Sequence, residues 1–175
     1  MYDYLIKNAQ IVDGTGSAPF SGDIAIENGL ISAVGEANGP ARETIDAGGA
    51  YATPGWVDVH THYDGQVSWD DTLDPSFSHG VTSIVMGNCG VGFAPCPPGG
   101  EQRMIELMEG VEDIPGTALY EGIEWGRWES FPEYMDYLGT RQYTMDVGAQ
   151  VPHSAVRNYV MGDRALRHED ATAED

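Results

Sequence analysis

Residues 1–55 alternate polar and apolar positions in short stretches, a pattern that predicts short strands joined by turns. The first predicted strand runs from Tyr4 to Val12. Two further apolar stretches flank Asn28-Gly29, a dipeptide that readily takes positive φ at both positions, so it predicts a type I′ hairpin. The repeated Gly and Asn breaks favour a small antiparallel sheet.

The pattern changes at Pro54-Gly55, after which strands and helices are predicted to alternate. Residues 110–128, rich in Gly and Trp, are expected to be irregular. Ser130 and Glu133 form a capping box that starts one of the helices. The predicted strands are Trp56 to His62, Val81 to Met86 and Asp146 to Val151. The first predicted helix is short, capped by Asp74 and closed by Gly80. The other predicted helices are Glu101 to Glu109, Phe131 to Leu138 and Ser154 to Met161.

This alternation predicts an α/β fold with parallel strands joined by right-handed crossovers. The apolar run of Val81 to Met86 is typical of a strand buried on both faces. Residues 55–175 hold only three βα units, whereas a closed (β/α)₈ barrel takes roughly 250 residues. Because an open three-stranded sheet would leave its edges bare, we expect the sequence to be truncated or to need a partner.

Composition excludes several functional classes. The chain has 175 residues with 8 Lys+Arg against 28 Asp+Glu, a net charge of −20 that would repel nucleic acid. Two cysteines cannot form a disulfide scaffold, and no apolar run reaches the roughly 18 residues of a membrane span. The first twenty residues show no signal peptide, so we expect a cytoplasmic protein without nucleic-acid or membrane partners.

Three side chains are candidates for a metal site. His60 and His62 share one face of the first predicted strand, because alternate residues of a strand point the same way. Cys89 follows the next strand, and the carboxyl ends of parallel strands meet at one rim. Imidazole and thiolate groups suit zinc. The alternative interpretation is two half-buried, hydrogen-bonded histidines and an inert turn cysteine.

The chain also resembles a known family. The stretch from Thr53 to Asp64, TPGWVDVHTHYD, looks like the first barrel strand of the amidohydrolase superfamily. Within that superfamily, the segments Tyr63 to Gln66 (YDGQ), His79 to Thr82 (HGVT) and Gly87 to Pro95 (GNCGVGFAP) are similar to the N-acyl-D-amino-acid deacylase (D-aminoacylase) branch. The resemblance covers nearly the whole chain.

The resemblance implies a zinc-dependent (β/α)₈ barrel with a β-sandwich domain built from both chain ends. Residues 1–54 would be a segment of that sandwich and residues 55–175 the first three βα units of the barrel. The implied ligands of one or two zinc ions are His60, His62 and Cys89, and the substrate is a small N-acyl amino acid. The general base, an Asp, and further His ligands are expected beyond residue 175. We therefore expect this chain alone to be inactive without the missing C-terminal barrel portion.

Other residues receive weaker assignments. His153 follows the third strand, and Arg157 lies one helical turn further on, where the pair would face a substrate carboxylate. Asp58 and Asp64 would orient ligands or the adjoining loop. Cys96 is expected to be a free loop thiol. Three aromatic side chains would line an acyl pocket or, alternatively, belong to the core: Trp125, Trp128 and Phe131.

Two alternatives remain open. One is a dihydroorotase-like or dihydropyrimidinase-like cyclic amidohydrolase, although such relatives usually bridge their metals with a modified lysine, which the GNCG turn disfavours. The other is a non-catalytic fragment or scaffolding subunit.

Overall fold

The structure, a computed structural model, describes residues 1–112 and 114–175, apart from the side chains of 110–112. It divides into two compact units, Met1–Pro54 and Gly55–Asp175. Each unit is described by itself below.

The first unit is a five-stranded sheet in the order β3-β2-β1-β4, with β5 also paired to β1. The antiparallel prediction is right for β1, β2 and β3 but wrong for β4 and β5, which run parallel to β1. The reason is that β4 and β5 follow each other along the same edge of β1, in its direction. The strands are β1 (Tyr2–Ile11), β2 (Phe20–Glu27), β3 (Leu30–Gly35), β4 (Ala41–Asp46) and β5 (Tyr51–Ala52).

The turn between β2 and β3 has the predicted conformation. Asn28 has φ 54° and Gly29 has φ 75°, the positive pair that a type I′ hairpin requires. The small apolar core of this unit consists of Leu5, Ala25 and Ala37.

The second unit contains a parallel sheet in the order β6-β7-β8. Its strands are β6 (Trp56–Asp58), β7 (Val81–Met86) and β8 (Asp146–Ala149). The register pairs Asp58 with Ile84 and Met86 with Ala149, so the carboxyl ends of the three strands lie along one rim. Parallel strands alternating with helices make this a mixed α/β fold, as the sequence pattern predicts.

The helices of this unit are α1 (Glu101–Glu112), α2 (Gly116–Gly122), α3 (Phe131–Leu138), α4 (His153–Met161) and α5 (Asp163–Leu166). The capping box of α3 is confirmed: Ser130 accepts from the Glu133 N–H, and Glu133 accepts from the Ser130 N–H. The prediction that residues 110–128 are irregular is wrong at the end of α1, which continues to Glu112, and at α2, where Leu119 is buried in the core. Residue 113 lies outside the described residues. No helix in the described ranges is long and apolar enough to traverse a bilayer.

Three predicted elements are shorter in the structure. The first strand of the parallel sheet ends at Asp58 instead of reaching His62, and the third ends at Ala149 instead of Val151. The helix predicted after Asp74 is reduced to a 3₁₀ turn at Phe77–His79, which Gly80 ends with φ 86° as expected. The Asp74 carboxylate still accepts from the Ser78 N–H at 3.2 Å.

The expectation that the strand from Val81 to Met86 is buried on both faces is not met. Val57 and Val59 are 62% and 65% exposed, and Thr82 on β7 is exposed as well. On β7 only Ile84 and Met86 are fully buried; Thr82, on the same face, is exposed, and the residues of the opposite face are half-buried. The reason is that β6 is an edge strand, and the described helices pack mainly against one side of β7.

Candidate metal centre

Thr61 holds the His60–His62 segment in place. Its backbone N–H and its hydroxyl both donate to the Val85 carbonyl, at 3.0 and 2.9 Å, and its side chain is buried. The flanking His60 and His62 are exposed, with ring centroids 5.5 Å apart. The two imidazoles thus share one side of the chain, as predicted, although a short loop anchored on β7 and not a strand places them there.

Cys89 lies in a tight turn directly after β7. Gly87 has φ 82°, Cys89 itself has φ 56° and Gly90 has φ 82°. For a residue other than glycine this left-handed conformation costs about 1–2 kcal/mol, so the surrounding contacts must impose it. The result is an exposed thiol on the rim that carries the histidines.

The three predicted donors converge. Nε2 of His60 lies 3.3 Å from Sγ of Cys89, and one ligand atom from each of His60, His62 and Cys89 lies within 4.8 Å of the others. Tetrahedral zinc with ordinary bond lengths separates an N and an S ligand by about 3.5 Å. Two imidazole nitrogens and one sulfur are a donor set that zinc accepts, so the residues present fit the metal.

Asp58 and Asp64 occupy different surroundings. The Asp58 carboxylate accepts from the His60 backbone N–H at 3.1 Å and so restrains the main chain of the first histidine. Asp64 is only 3% exposed, and its carbonyl accepts from the Tyr134 hydroxyl at 3.4 Å. Burial, followed by the nearby Asp64 charge, raises the pKa of Tyr134. Asp64 therefore lies within the packed interior behind the histidine loop.

His153 and Arg157 both lie on α4. His153 is exposed at the start of the helix, and a Cβ built on Gly90 would lie 3.6 Å from the His153 Cβ, so the first residue of α4 lies beside the Cys89 turn. The Arg157 guanidinium donates to the Glu169 carbonyl. His153 thus begins a helix beside the cysteine turn, whereas Arg157 is engaged with the C-terminal segment.

The predicted aromatic residues are divided between core and cavity. Trp128 is buried against Tyr134 and Tyr137 and donates to the Phe93 carbonyl at 2.9 Å. Together with Trp125 it lines a cavity of about 370 Å³ that also includes Cys96, whereas Phe131 packs at the margin of the core. The lining contains none of His60, His62 and Cys89, so this cavity gives no support to an acyl pocket beside the metal centre.

Cys96 is a free but buried thiol, 5% exposed. Burial, with a smaller contribution from the Glu101 carboxylate, raises its pKa to about 11. The free-thiol prediction is confirmed, and burial distinguishes Cys96 from the exposed Cys89.

Sequence reasoning missed the part that Asn88 plays at this rim. Its side-chain amide donates to the carbonyls of Thr61 and Val85, and its amide oxygen accepts from the Gln150 side chain. The only signal in the sequence is an Asn directly before the turn cysteine.

Several proteins of known sequence are similar to this chain. A D-aminoacylase of Alcaligenes xylosoxydans xylosoxydans is 29% identical over 98% of this chain and 34% of its own length, and an N-acyl-D-aspartate deacylase of the same organism is 31% identical over 97% and 32%. A D-hydantoinase of Rhizobium radiobacter is 41% identical, but over only 50% of this chain and 18% of its own length. The chain spans about a third of the length of the deacylases.

Two solved structures are similar to this chain over nearly its whole length. A crystal structure of D-aminoacylase described as defining a novel subset of amidohydrolases matches with a TM-score of 0.77 and 29% identity, over 99% of this chain and 34% of that one. An N-acyl-D-glutamate deacylase from Bordetella bronchiseptica, complexed with zinc and a phosphonate inhibitor, matches with a TM-score of 0.70 and 31% identity, over 99% and 33%.

The strongest assignment comes from the sequence family. The model of the amidohydrolase family matches residues 43–175, which include the histidine loop, the cysteine turn and all three parallel strands of the second unit. The chain therefore belongs to the amidohydrolase family, and its relatives of known activity include D-aminoacylases and N-acyl-D-amino-acid deacylases.

Proposed function

We propose that this chain supplies part of the zinc site of an enzyme that hydrolyses N-acyl-D-amino acids to a D-amino acid and a carboxylate. The observation that carries the proposal is the convergence of His60, His62 and Cys89 within 4.8 Å at the carboxyl-end rim of a parallel sheet. Active sites of α/β barrels lie at this rim. The substrate class is supported by the deacylase relatives.

Five residues of this chain would hold the ion or position its ligands. His60, His62 and Cys89 would bind it, Asp58 restrains the His60 main chain, and Thr61 anchors the segment on β7. Bound zinc would supply a Lewis acid that polarises an amide carbonyl and makes water more acidic. The site is exposed in this chain, so a small polar substrate has direct access to it.

His153 is the residue of this chain best placed to contact a bound substrate. It is exposed at the start of α4 beside the Cys89 turn, and an imidazole N–H there would donate a hydrogen bond to the carboxylate of an acylamino acid. Arg157 would contribute only after releasing the Glu169 carbonyl.

The proposal extends to the whole protein. Residues 1–54 would be a segment of a β-sandwich and residues 55–175 the first three βα units of a (β/α)₈ barrel. The general base, an Asp, and further ligands would come from a segment outside these 175 residues, so the chain alone would show no turnover. A cytoplasmic location would keep the Cys89 thiol reduced.

The test has two stages. Zinc titration of the reduced chain should give one or two bound ions, and binding should be lost in the triple variant H60A/H62A/C89A. The protein expressed from the complete reading frame should hydrolyse N-acetyl-D-methionine and not its L-enantiomer. Absence of zinc binding by the chain would contradict the metal site, and absence of D-selective hydrolysis by the complete protein would contradict the substrate class.

A second candidate is a cyclic-amide hydrolase, favoured by the higher local identity to D-hydantoinase. The same complete protein should then open the ring of a 5-substituted hydantoin faster than it cleaves N-acetyl-D-methionine. We favour the deacylase because those relatives match along almost the entire chain.

A further inference from the structure

The side chain of Asn88 joins the ends of all three parallel strands. Its Nδ2 donates to the Val85 carbonyl on β7 at 2.9 Å and to the Thr61 carbonyl in the histidine loop at 3.3 Å. Its Oδ1 accepts from Nε2 of Gln150, the residue that follows β8, at 2.8 Å. Because a backbone carbonyl can only accept, the end of the Asn88 amide that faces Thr61 and Val85 must be its nitrogen, which leaves the oxygen for Gln150.

One of these contacts acts on a peptide adjacent to a predicted ligand. The Thr61 carbonyl belongs to the planar peptide unit that continues into His62, so a hydrogen bond to that oxygen limits rotation at the second histidine. Asn88 also precedes Cys89 directly. Because its side chain is held by three hydrogen bonds, it restricts movement of the backbone at Cys89, which has a left-handed φ of 56°. One residue thus ties the histidine loop to the cysteine turn.

The surrounding backbone leaves little freedom for this arrangement. A Cβ on Gly87 would lie 2.3 Å from the Gln150 carbonyl oxygen, and the Gln150 N–H donates to the Met86 carbonyl at 2.9 Å. The Val91 N–H closes the turn on the Asn88 carbonyl at 2.9 Å. The cysteine turn therefore packs directly against the end of β8. The Asn88 side chain links this packed turn to the histidine loop through its hydrogen bond to the Thr61 carbonyl.

We propose that Asn88 is a positioning residue for the metal centre, which sets the distance between the His60–His62 pair and Cys89 by donating to the Thr61 and Val85 carbonyls. The inference rests on the proposed zinc site and adds to it a residue that does not touch the ion. Residues that orient metal ligands typically contribute 10–100-fold to metal affinity.

The experiment measures Co²⁺ binding to the reduced chain by absorption spectroscopy, in which the thiolate charge-transfer band reports the Co–S bond. The variant N88A should bind Co²⁺ about 10–100-fold more weakly than the wild type, with a weaker charge-transfer band. N88D has a side chain of the same shape, but its carboxylate cannot donate a hydrogen bond. Its loss of Co²⁺ affinity should therefore be at least as large as that of N88A. The unfolding transition of each metal-free variant is recorded by circular dichroism to verify the fold.

The matched control is Q66A. The Gln66 amide also donates twice, to the Asp70 carboxylate at 2.8 Å and the Asp74 carbonyl at 2.9 Å, but it joins parts of a different loop. Its loss should leave Co²⁺ affinity and spectrum unchanged. Q150A, which removes only the partner of the Asn88 amide oxygen at an exposed position, should give a smaller loss than N88A.

The outcomes distinguish the proposed metal site from the proposed role of Asn88. If the wild-type chain binds no Co²⁺, the proposed metal site is wrong and the inference falls with it. If the wild type binds but folded N88A and N88D match its affinity and spectrum, the inference alone is overturned. If N88A and N88D do not fold, Q150A decides, and an affinity equal to that of the wild type rejects the positioning role.

Discussion

Nε2 of His60 and Sγ of Cys89 lie 3.3 Å apart although 29 positions separate them along the chain. Parallel pairing of β6 with β7 brings the two segments to the same rim, and the left-handed backbone at Cys89 directs its thiol towards the imidazole. The contact therefore depends on both the sheet register and one strained residue, and the variants below test each part.

Replacing Cys89 by Ala should remove most of the zinc affinity of the chain. We expect a loss of at least about 100-fold, above the 10–100-fold typical of residues that only orient a ligand, because the thiolate is the strongest donor of the three. Isothermal titration with zinc under reducing conditions measures it. The control is C96A, which removes the buried thiol and should leave zinc affinity unchanged; equal affinities for wild type and C89A would contradict the site.

The two cysteines should differ sharply in alkylation. Cys89 is exposed, whereas Cys96 is buried with its pKa raised to about 11, so at pH 8 only roughly one Cys96 in a thousand is a thiolate. Iodoacetamide should therefore modify Cys89 alone in the folded protein, as read by peptide mass spectrometry. Zinc should slow that modification, and denaturant should expose Cys96. Equal labelling of both thiols in the native chain would be inconsistent with the burial of Cys96.

Substitution of Gly87 by Ala should disrupt the cysteine turn. Gly87 and Gly99 have similar φ values of 82° and 78°, but a Cβ on Gly87 would lie 2.3 Å from the Gln150 carbonyl oxygen, while one on Gly99 meets nothing within 4 Å. Both variants carry the left-handed penalty of about 1–2 kcal/mol. G87A should lose about 1–3 kcal/mol more through overpacking.

Urea denaturation of the two glycine variants measures this difference, and zinc titration should show weaker binding for G87A only. If G87A and G99A have the same free energy of unfolding, the close approach of the turn to the end of β8 is not present in solution.

Glu133 should make the stability of the second unit depend on acid pH. Donation from the backbone N–H groups of Ser130 and Glu129, and from the Ser130 hydroxyl, lowers the pKa of Glu133 below 4.5. Since the folded pKa lies below the unfolded one, the stabilisation is complete above about pH 4.5 and is lost as pH falls through the folded value.

The measurement compares wild type with E133Q by urea denaturation at several pH values. The stability difference should be constant near neutral pH and should shrink as the solution is acidified. E121Q makes the same charge change on the exposed surface of α2 and should show no such pH-dependent difference. A pH-independent difference for E133Q would exclude the carboxylate as the cause.

The sequence was sufficient to predict the convergence of three donors, because His60 and His62 follow the start of one predicted parallel strand and Cys89 follows the end of the next. It was not sufficient to predict how the donors are held. The first strand ends at Asp58 because Thr61 turns inward and donates twice to Val85, a long-range contact that no periodicity encodes. Asn88 was overlooked for the same reason, since its partners belong to three separate segments.

Two other sequence predictions, for α2 and for the direction of β4 and β5, were wrong for similar physical reasons. Helix α2 is only seven residues long and begins and ends with Gly, so its single buried residue, Leu119, gave no apolar period. The parallel direction of β4 and β5 follows from their shared edge on β1, which depends on pairing and not on composition. The capping box of α3, by contrast, is encoded in four consecutive residues and was predicted correctly.

The bare edge strand β6 has a practical consequence for handling the purified chain. Trp56, Val57 and Val59 lie exposed on or directly after a strand with an open hydrogen-bonding edge, a template for pairing between copies. In dilute buffer the charge of −20 keeps the copies apart by mutual repulsion. Near 0.1 M salt that repulsion reaches only about 10 Å, so light scattering should rise with ionic strength, and storage at low salt will best preserve monodisperse samples.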